Sequence, residues 1–254
     1  MTKIRTLVLV LVLGLLAPCG CGGGGGGNGD GGGEGFAFSD IVGSWLGPTG
    51  NVTVDGELFL AAGPRGLAID ASGNATGIGA SSLAGTVSLA SSALGTFKFA
   101  GTGAFVGLDG LLIMSPDKDH VLWATDGLLL GAWERDATDF APPYTDADLR
   151  NETWAGLACE VTTIMNPVDP ESIAVVIDGA GNFTADTSST NVAPLTLADD
   201  FKGAYLGDAI DPGPPVETSN VVVLMTPDRQ FVAIFSCLTG GTFPDDCSYA
   251  ALSR

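Results

Sequence analysis

The chain has 254 residues, a formal net charge of −19, 38 glycines and one histidine. The acidic excess argues against a nucleic-acid partner, because contacts to phosphate groups need clustered Lys and Arg side chains. A single histidine excludes a zinc site built from several histidines, and the cysteines form no C-x-x-C pair. After residue 35 the chain is long enough for one large domain or two small ones with cores of their own.

The N-terminal segment has the layout of a secretory signal. Lys3 and Arg5 precede an apolar run over residues 7–17, and this order of charged and apolar residues is typical of export signals. The run is shorter than the ~20 apolar residues that span a bilayer. We therefore expect an exported protein with residues 1–20 as its signal peptide.

The end of this segment carries two cysteines, each preceded by a different residue. Cys21 follows Gly20, and Cys19 follows Pro18. A small residue before a Cys resembles the bacterial lipoprotein signal, in which that Cys is acylated and becomes the new N-terminus. The resemblance implies a lipid anchor at Cys21, with Cys19 as the alternative, and an ordinary cleaved signal is the other interpretation. Because no acidic residue directly follows Cys21, it favours the outer membrane.

A glycine-rich stretch follows the predicted acylation site. Residues 22–35 are almost all Gly, a composition that buries no apolar surface and forms a flexible coil. We predict that residues 21–35 are a disordered tether. Removal of Lys3 and Arg5 with the signal leaves 8 cationic against 29 acidic residues, a formal charge of −21. The acids are scattered through the chain, which indicates a soluble, self-repelling surface more than a cation-binding one.

Three segments of the first half recur in the second half in the same order. The offsets are 109 residues from Trp45 to Trp154, 108 from Asp70 to Asp178, and 111 from Pro116 to Pro227. The paired segments are SDIVGSWLG and TDADLRNETWAG, LAIDASGNATG and VVIDGAGNFTA, and LIMSPDKDHVLWA and VLMTPDRQFVAIF. Such a constant offset predicts a tandem duplication. We assign residues 36–135 to β-domain 1, 136–147 to a Pro-rich linker and 148–254 to β-domain 2.

The apolar residues of each half alternate with polar ones, as in strands. In the segment GTFKFAGTGAFVG, Phe97 and Phe99 face one side and Lys98 the other. Each half offers seven to nine short strands joined by tight turns, including TDG at 125–127. We predict an all-β fold of two tandem antiparallel meanders. Small up-and-down barrels are one form that such meanders take, since closure removes exposed strand edges.

The repeated (S/T)PD(K/R) segment is interpreted as a turn. Pro116 and Pro227 fit the second position of a type I turn between two apolar strands. His120 in the first copy is replaced by Phe231 in the second, which indicates that only the turn matters. We therefore expect His120 to be exposed at the start of a strand and to have no catalytic role.

Each half combines a short helical segment, a Trp in its first strand and an Arg on its last strand. The residues are Gly43, Trp45 and Arg135 in the first half and Trp154 and Arg254 in the second. This pattern resembles that of the lipocalins and other calycins, although Glu stands where the second half should have Gly. In that superfamily the Trp packs under the cation at the closed end of an eight-stranded barrel. The resemblance implies the pairs Trp45–Arg135 and Trp154–Arg254 and a carrier of a small apolar ligand; a generic meander with a buried Trp is the alternative.

Three cysteines lie beyond the signal region, all in the second half. Export favours disulfide formation. A bond between Cys237 and Cys247 would staple a lengthened hairpin and is the preferred pairing. Cys159 with Cys247 is the alternative, because the first and last strands of a closed barrel are neighbours.

No residue pattern predicts a catalytic, cofactor-binding or metal-binding residue. The D-x-x-G-N segments lack the alternating oxygen donors of an EF-hand loop and are interpreted as turns. We expect a non-catalytic, lipid-anchored module of the cell envelope or surface, with an envelope protein or a small apolar ligand as its partner. The alternatives are a calycin-like carrier and an extracytoplasmic hydrolase using carboxylates, for which the sequence nominates no particular pair.

Overall fold

The computed structural model describes residues 35–53, 57–126, 128–139, 143–161, 167–185, 190–200, 202–211, 217–239 and 247–254. The predicted signal, the acylation site at Cys21 or Cys19, and nearly all of the tether lie outside the described residues. So do Gly127 of the TDG turn and Pro142 of the linker. Within the described ranges, no helix has the length and apolar character needed to cross a membrane.

The first half is a succession of short strands with little helix. It contains the helical turn α1 (Phe38–Ile41), a 3-10 helix (Gly103–Phe105), and the strands β1 (Gly43–Gly47), β2 (Thr49–Val52), β3 (Leu58–Leu60), β4 (Arg65–Ile69), β5 (Asn74–Gly79), β6 (Ala84–Ser91), β7 (Thr96–Gly101), β8 (Asp109–Met114), β9 (His120–Thr125) and β10 (Leu129–Arg135).

The second half repeats this design with longer strands. It contains a 3-10 helix (Asp146–Asp148) and the strands β11 (Glu152–Val161), β12 (Pro167–Ile177), β13 (Phe183–Ala185), β14 (Thr190–Asp199), β15 (Ala204–Asp211), β16 (Glu217–Met225), β17 (Phe231–Leu238) and β18 (Cys247–Ser253).

Eight strands of the first half close into a barrel, here called barrel 1. Their order is β1-β4-β5-β6-β7-β8-β9-β10, and β10 returns to pair with β1, with Trp45 opposite Arg135. Strand β2 continues along β10 beyond β1, and β3 pairs with β2. Every pairing is antiparallel, which confirms the predicted meander and its closure into a barrel for this half.

The strands of the second half form a nearly closed barrel, here called barrel 2. The sheet order is β13-β12-β11-β18-β17-β16-β15-β14, so the edges that would close it are β13 and β14. Among the described residues no ladder joins these edges, but the Leu195 N–H donates to the Gly181 carbonyl at 2.9 Å. The equivalent bond in barrel 1, from Val87 to Gly73 at 2.7 Å, accompanies a β5–β6 ladder. The all-β fold predicted from sequence is confirmed.

The two halves agree in contacts as well as in strand order. Phe36 before α1 and Tyr144 before the second 3-10 helix are 108 residues apart. Each ring lies over a glycine with positive φ, Gly95 at 63° and Gly203 at 61°. A Cβ at Gly95 would approach the Phe36 ring to 2.8 Å, and one at Gly203 would approach the Tyr144 ring to 2.7 Å. A shared close contact of this kind favours a common origin for the two halves.

The interior of barrel 1 is packed with aromatic side chains. Trp45, Trp123 and Trp133 are at most 1% exposed, and the Trp123 and Trp133 rings stack with centroids 5.1 Å apart. Glycine makes room for these rings, because a Cβ at Gly110 would lie 2.9 Å from Trp123. The interior cluster of barrel 1 is therefore filled by side chains, as small eight-stranded barrels allow.

The interior of barrel 2 is mainly aliphatic. Trp154 and Tyr205 are fully buried there. They pack with aliphatic side chains from neighbouring strands, among them Ile173, Val175, Ile177, Leu195, Val221, Val223, Met225 and Leu252. Among the residues that the structure describes, the interior of barrel 2 therefore contains fewer large rings than that of barrel 1.

A third apolar cluster lies between the barrels, and we call it the interbarrel layer. Barrel 1 contributes Val52, Leu111, Ile113, Leu122, Ala124, Leu130 and Ala132, and barrel 2 contributes Cys159, Ala204, Val222, Leu224, Phe231, Ala233, Phe235, Cys237, Cys247, Tyr249 and Ala251. Because side chains alternate along a strand, these are the residues that point away from each barrel interior. Strands β8, β9, β16 and β17 are thus apolar on both faces, and their sequences are continuous apolar runs.

The disulfide joins Cys237 and Cys247. These residues are directly opposite each other in the β17–β18 ladder. The bond is the preferred pairing of the sequence interpretation. Cys159 instead lies opposite Tyr249 in the β11–β18 ladder, so the predicted adjacency of first and last strands is present without a bond to Cys247.

Candidate functional site

The two repeated (S/T)PD(K/R) segments form matching hairpin loops. The Lys118 N–H donates to the Ser115 carbonyl at 3.0 Å, and the Arg229 N–H donates to the Thr226 carbonyl at 3.0 Å. These bonds place each Pro at the second position of the turn, as predicted. Lys118 and Arg229 have φ values of 67° and 62°, so the cation in each loop takes the left-handed conformation that turns the chain into the next strand.

The cation of each loop is tied to the helical turn of its own half. Lys118 Nζ lies 2.8 Å from an Asp40 carboxylate oxygen, and Arg229 Nε lies 3.2 Å from Asp148. Arg229 also stacks over the Tyr144 ring, 5.1 Å from its centroid. The repeated segment therefore links the hairpin to the start of each half.

Arg135 lies over Trp45 in barrel 1, with its guanidinium carbon 4.3 Å from the ring centroid. The guanidinium donates to the carbonyls of Asp40 at 2.5 Å, Val42 at 3.1 Å and Lys118 at 2.8 Å. One side chain thus joins the helical turn, the last strand and the hairpin loop. This is the Trp–Arg pair that the calycin resemblance implies.

Arg254 takes the same position over Trp154 in barrel 2, 4.9 Å from the ring centroid. It donates to the Asp148 carbonyl, and its Nη1 lies 3.6 Å from a Glu152 carboxylate oxygen. In barrel 1 the residue equivalent to Glu152 is Gly43, where a Cβ would lie 3.0 Å from Arg135. The departure from the calycin pattern in the second half is therefore compensated by an ion pair.

The prediction that His120 is exposed is wrong. The residue is 3% exposed, because the start of β9 packs against the hairpin loop of barrel 2. Its Nε2 lies 2.8 Å from an Asp228 carboxylate oxygen, and its Nδ1 lies 3.4 Å from one of Asp117. The imidazole also stacks on Phe231, with centroids 5.5 Å apart and planes 6° from parallel. The position that differs between the two loops is where they meet.

Glu134 adds a second polar link between the barrels. It is opposite His120 in the β9–β10 ladder, and its carboxylate accepts a hydrogen bond from the Asp228 N–H at 3.0 Å. The hairpin loop of barrel 2 is therefore held at its Asp by two side chains of barrel 1.

The carboxylates set the electrostatics of this contact. Burial disfavours the imidazolium, but the hydrogen bond and charge of Asp228, together with Asp117, outweigh it and raise the pKa of His120. Burial also opposes ionisation of Asp228, yet hydrogen bonds from His120 and the loop lower its pKa overall. Burial and the neighbouring Asp228 charge raise the pKa of Glu134. The cluster therefore favours a protonated histidine between ionised aspartates.

These side chains border an open polar cleft of about 450 Å³, which we call the junction cleft. Its lining includes Asp117, His120, Glu134, Arg135, Asp228 and Arg254. The cleft contains two pairs of equivalent residues, one acidic and one basic, from the two halves. Among the described residues, no group of three or more His, Cys, Asp or Glu side chains is arranged to hold a metal ion.

A second opening between the barrels is apolar, and we call it the apolar groove. Its volume is about 580 Å³, and Phe36, Leu94, Pro116, Ala155, Leu157 and Ala174 are among its lining residues. The groove lies outside the barrel interiors. It is formed on the barrel 1 side by Phe36, the turn between β6 and β7 and the loop between β8 and β9, and on the barrel 2 side by β11 and β12. The calycin resemblance implies a carrier of a small apolar ligand but does not point to this groove.

The D-x-x-G-N turns use their carboxylates to hold the turn. Asp70 accepts a hydrogen bond from the Asn74 N–H at 2.9 Å, and Asp178 accepts one from the Asn182 N–H at 2.9 Å. The side-chain hydrogen bond from Asn74 also lowers the pKa of Asp70. These contacts agree with the interpretation of both segments as turns.

The comparisons with known proteins give little guidance on activity. No family model matches the chain, and no curated protein matches it. One solved structure, a protein of unknown function of the DUF3598 family from Nostoc punctiforme, is 16% identical and is aligned over 85% of this chain and 97% of its own. The TM-score of 0.36 is too low to support an argument from that protein.

The sequence predicts the contacts made within each half but not the contact between the two halves. The turns, the Trp–Arg pairs and the disulfide follow from patterns within one half. The junction cleft depends on how one hairpin loop docks against the other. One signal was present in the sequence, because continuous apolar runs around both loops indicate strands buried on both faces.

Proposed function

We propose that this protein is a non-catalytic module of the cell envelope, exported and lipid-anchored, that presents two fused β-barrels as one rigid body. The interbarrel layer carries the proposal. Its apolar side chains come from the outer faces of both barrels, and burial of such surface is the dominant favourable contribution to association. A module of this kind suits a binding or spacing role at a surface, where a fixed shape is useful.

The contacts of His120 support a structural role over a catalytic one. Both ring nitrogens face carboxylates, Asp228 on one side and Asp117 on the other. A general base needs a nitrogen that reaches the substrate proton. Here Nε2 is hydrogen-bonded to Asp228, and Nδ1 is buried beside Asp117. The histidine thus serves to join the barrels.

Export and anchoring rest on the N-terminal sequence. A cationic start, an apolar run, a Cys after a small residue and a Gly-rich stretch occur in that order. A single acyl chain gives only marginal membrane binding, so a diacylated Cys21 would supply a durable anchor. The Gly-rich stretch would leave the barrels free to move relative to the membrane.

The anchor is tested by metabolic labelling with palmitate in a bacterial host that acylates lipoproteins. The Cys21→Ala protein should lose the label and become soluble after lysis. The Cys19→Ala protein is the matched control and should keep both the label and the membrane association. Label retained in Cys21→Ala but lost in Cys19→Ala would move the anchor to Cys19, and label absent from the wild type would remove it.

The apolar groove favours a second candidate function, that of a carrier for a small apolar ligand. The aromatic packing inside barrel 1 leaves the groove as the better place for such a ligand, since binding sites are concave and mostly apolar. Native mass spectrometry of the purified protein should then show a co-purified lipid mass. Leu94→Asp, inside the groove, should abolish that mass, while Leu89→Asp on the exposed face of β6 should preserve it. A wild type that carries no additional mass would favour the plain module.

A further inference from the structure

We propose that protonation of His120 controls how tightly the two barrels are held against each other. The imidazole projects from barrel 1, and its shortest contact is with Asp228 of barrel 2, at 2.8 Å. It also stacks on Phe231 of barrel 2. The group that titrates near neutral pH therefore lies at the contact between the two halves.

The geometry explains why the proton matters. A neutral imidazole has one N–H and one lone pair, whereas an imidazolium has two N–H groups. Nε2 faces Asp228 and Nδ1 faces Asp117. In the neutral form one lone pair must therefore point at a carboxylate oxygen, and only the cation satisfies both sides. With the Nε2 hydrogen kept for Asp228, the neutral form places the Nδ1 lone pair beside Asp117. Loss of the proton therefore weakens the contact between the barrels, because Asp228 loses its cationic partner.

The other charged groups around His120 strengthen this dependence. Its own loop contributes Asp117 and Asp119, strand β10 contributes Glu134, and the loop of barrel 2 contributes Asp228. When His120 is neutral, these carboxylates repel one another across the junction cleft. The guanidinium groups of Arg135 and Arg254 line the same cleft. Arg135 lies 3.6 Å from Asp119, and both groups otherwise contact the Trp rings and carbonyls of their own barrels.

The direction with pH follows from the shifts. The pKa of His120 is raised in the folded protein, so its contribution is present below the ordinary value near 6.5 and is lost as pH rises through the folded pKa. The raised pKa of Glu134 acts in the same direction. The pKa values of Asp117 and Asp228 are lowered in the folded protein. They set the lower end of the pH range in which the barrels are held tightly, because the stabilisation from these carboxylates is lost as pH falls through their folded pKa values. Docking is tightest in mildly acidic solution.

The first measurement is the pKa of the imidazole itself by NMR in the full-length protein. The chain has one histidine, so its ring signals need no assignment. The wild-type pKa should lie above 6.5, and Asp228→Asn should lower it because the variant removes the anionic partner. A wild-type pKa at or below 6.5, or one unchanged by Asp228→Asn, would overturn the proposal.

The second measurement follows separation of the barrels. Cys159 lies in the interbarrel layer and is 2% exposed, so labelling of its thiol reports opening. The matched control is His120→Phe, which keeps a ring stacked on Phe231 and places in the first loop the residue that the second loop already has. Both proteins are labelled at the same pH values, and the rate at Cys159 is read by peptide mass spectrometry. Thiolate ionisation then cancels in the ratio of the two rates.

The ratio of wild-type to His120→Phe labelling should rise as pH passes through the pKa measured by NMR. The rise should be tenfold for each unit by which that pKa exceeds its ordinary value, because labelling tracks the open fraction when reclosing is fast. A ratio that stays constant with pH would contradict the proposal even if the pKa is raised. If His120→Phe does not fold, Asp228→Asn serves as the control variant. A ratio of wild-type to Asp228→Asn labelling rates that is constant with pH would then contradict the proposal as well.

Discussion

The hairpin loops at 115–120 and 226–231 have nearly the same sequence and the same local hydrogen bonds. Both begin with a hydroxyl residue that bonds the backbone at the end of the loop, at 3.0 Å for Ser115 and 3.2 Å for Thr226. They differ at their last residue, where His120 meets Phe231 across the interface. A loop that holds its own shape leaves that last position available for contact with the other barrel. Local structure and interdomain contact are thus encoded by different residues of one segment.

The Trp–Arg pairs of the two barrels show how a duplicated contact is kept by different means. Arg135 lies beside a glycine and bonds three backbone carbonyls, whereas Arg254 faces Glu152. Both guanidinium groups still stack on their Trp. The Trp–Arg stack is the shared feature, and the residues around it have diverged.

The largest expected effect comes from removing the Trp of one barrel and then of the other. Trp45→Ala and Trp154→Ala should each lower the free energy of unfolding by about 3–5 kcal/mol, because both rings are fully buried. Urea denaturation followed by circular dichroism gives the values. A loss much smaller for Trp154 than for Trp45 would show that the barrels do not use this ring in the same way.

The disulfide is a difference between the barrels, and its removal sharpens the comparison. The double variant Cys237→Ala, Cys247→Ala should lose about 2–3 kcal/mol of stability, because the sequence separation of 10 closes a short loop in the unfolded chain. Reduction of the wild type should cause a similar loss, measured by thermal unfolding with and without reductant. Equal stability of the oxidised and reduced proteins would contradict this role.

Removal of Arg135 or of Arg254 should reveal how the two Trp–Arg pairs differ in their contribution to stability. Arg135→Ala should cost about 2 kcal/mol, because three charge-assisted bonds to carbonyls are lost. Arg254→Ala should cost about 1 kcal/mol, since it makes one carbonyl bond instead of three, besides one ring contact and a partly exposed ion pair. Arg135→Lys is the control, and it should restore little because Lys lacks the planar set of donors. A larger loss of stability for Arg254→Ala than for Arg135→Ala would contradict this prediction.

The smallest effects are expected at the two exposed turns. Asp70→Ala and Asp178→Ala should destabilise the protein slightly and by the same amount, because both residues make the same hydrogen bonds. Their lowered pKa values predict that this contribution is present above about pH 3.8 and is lost as pH falls through the folded pKa. Thermal unfolding of both variants at pH 3 and pH 7 measures the size of each loss and its dependence on pH. Unequal losses of stability would show that the turns are not equivalent.

Much of the fold follows from patterns that lie within one half. Alternation in β7 places Phe97 and Phe99 inside and Lys98 outside, as the period of two requires. The turn chemistry of Pro116 and Asp70 is local, and so is the Cys237–Cys247 pairing across one hairpin. These features need no knowledge of how the halves pack.

The interbarrel contact could not be derived in the same way. His120 at the start of a strand after a polar turn has the local pattern of an exposed residue, and it is buried only because another loop covers it. The runs that contain Leu111–Met114 and Val221–Met225 did indicate burial on both faces. They could not identify what covers the second face, since that depends on docking between distant parts of the chain.

The most direct test of the account is whether the two barrels unfold as one unit. Three of the four Trp residues lie in barrel 1, so the fluorescence of a Trp154→Phe protein reports that barrel. Pulsed hydrogen exchange of the β12 amides from Ile173 to Ile177 reports barrel 2, because these residues pack in its interior and not in the interbarrel layer. Across a urea titration the two signals should change at the same midpoint, because the interbarrel layer couples the barrels. Two separated midpoints would contradict the central claim that the barrels form one rigid body.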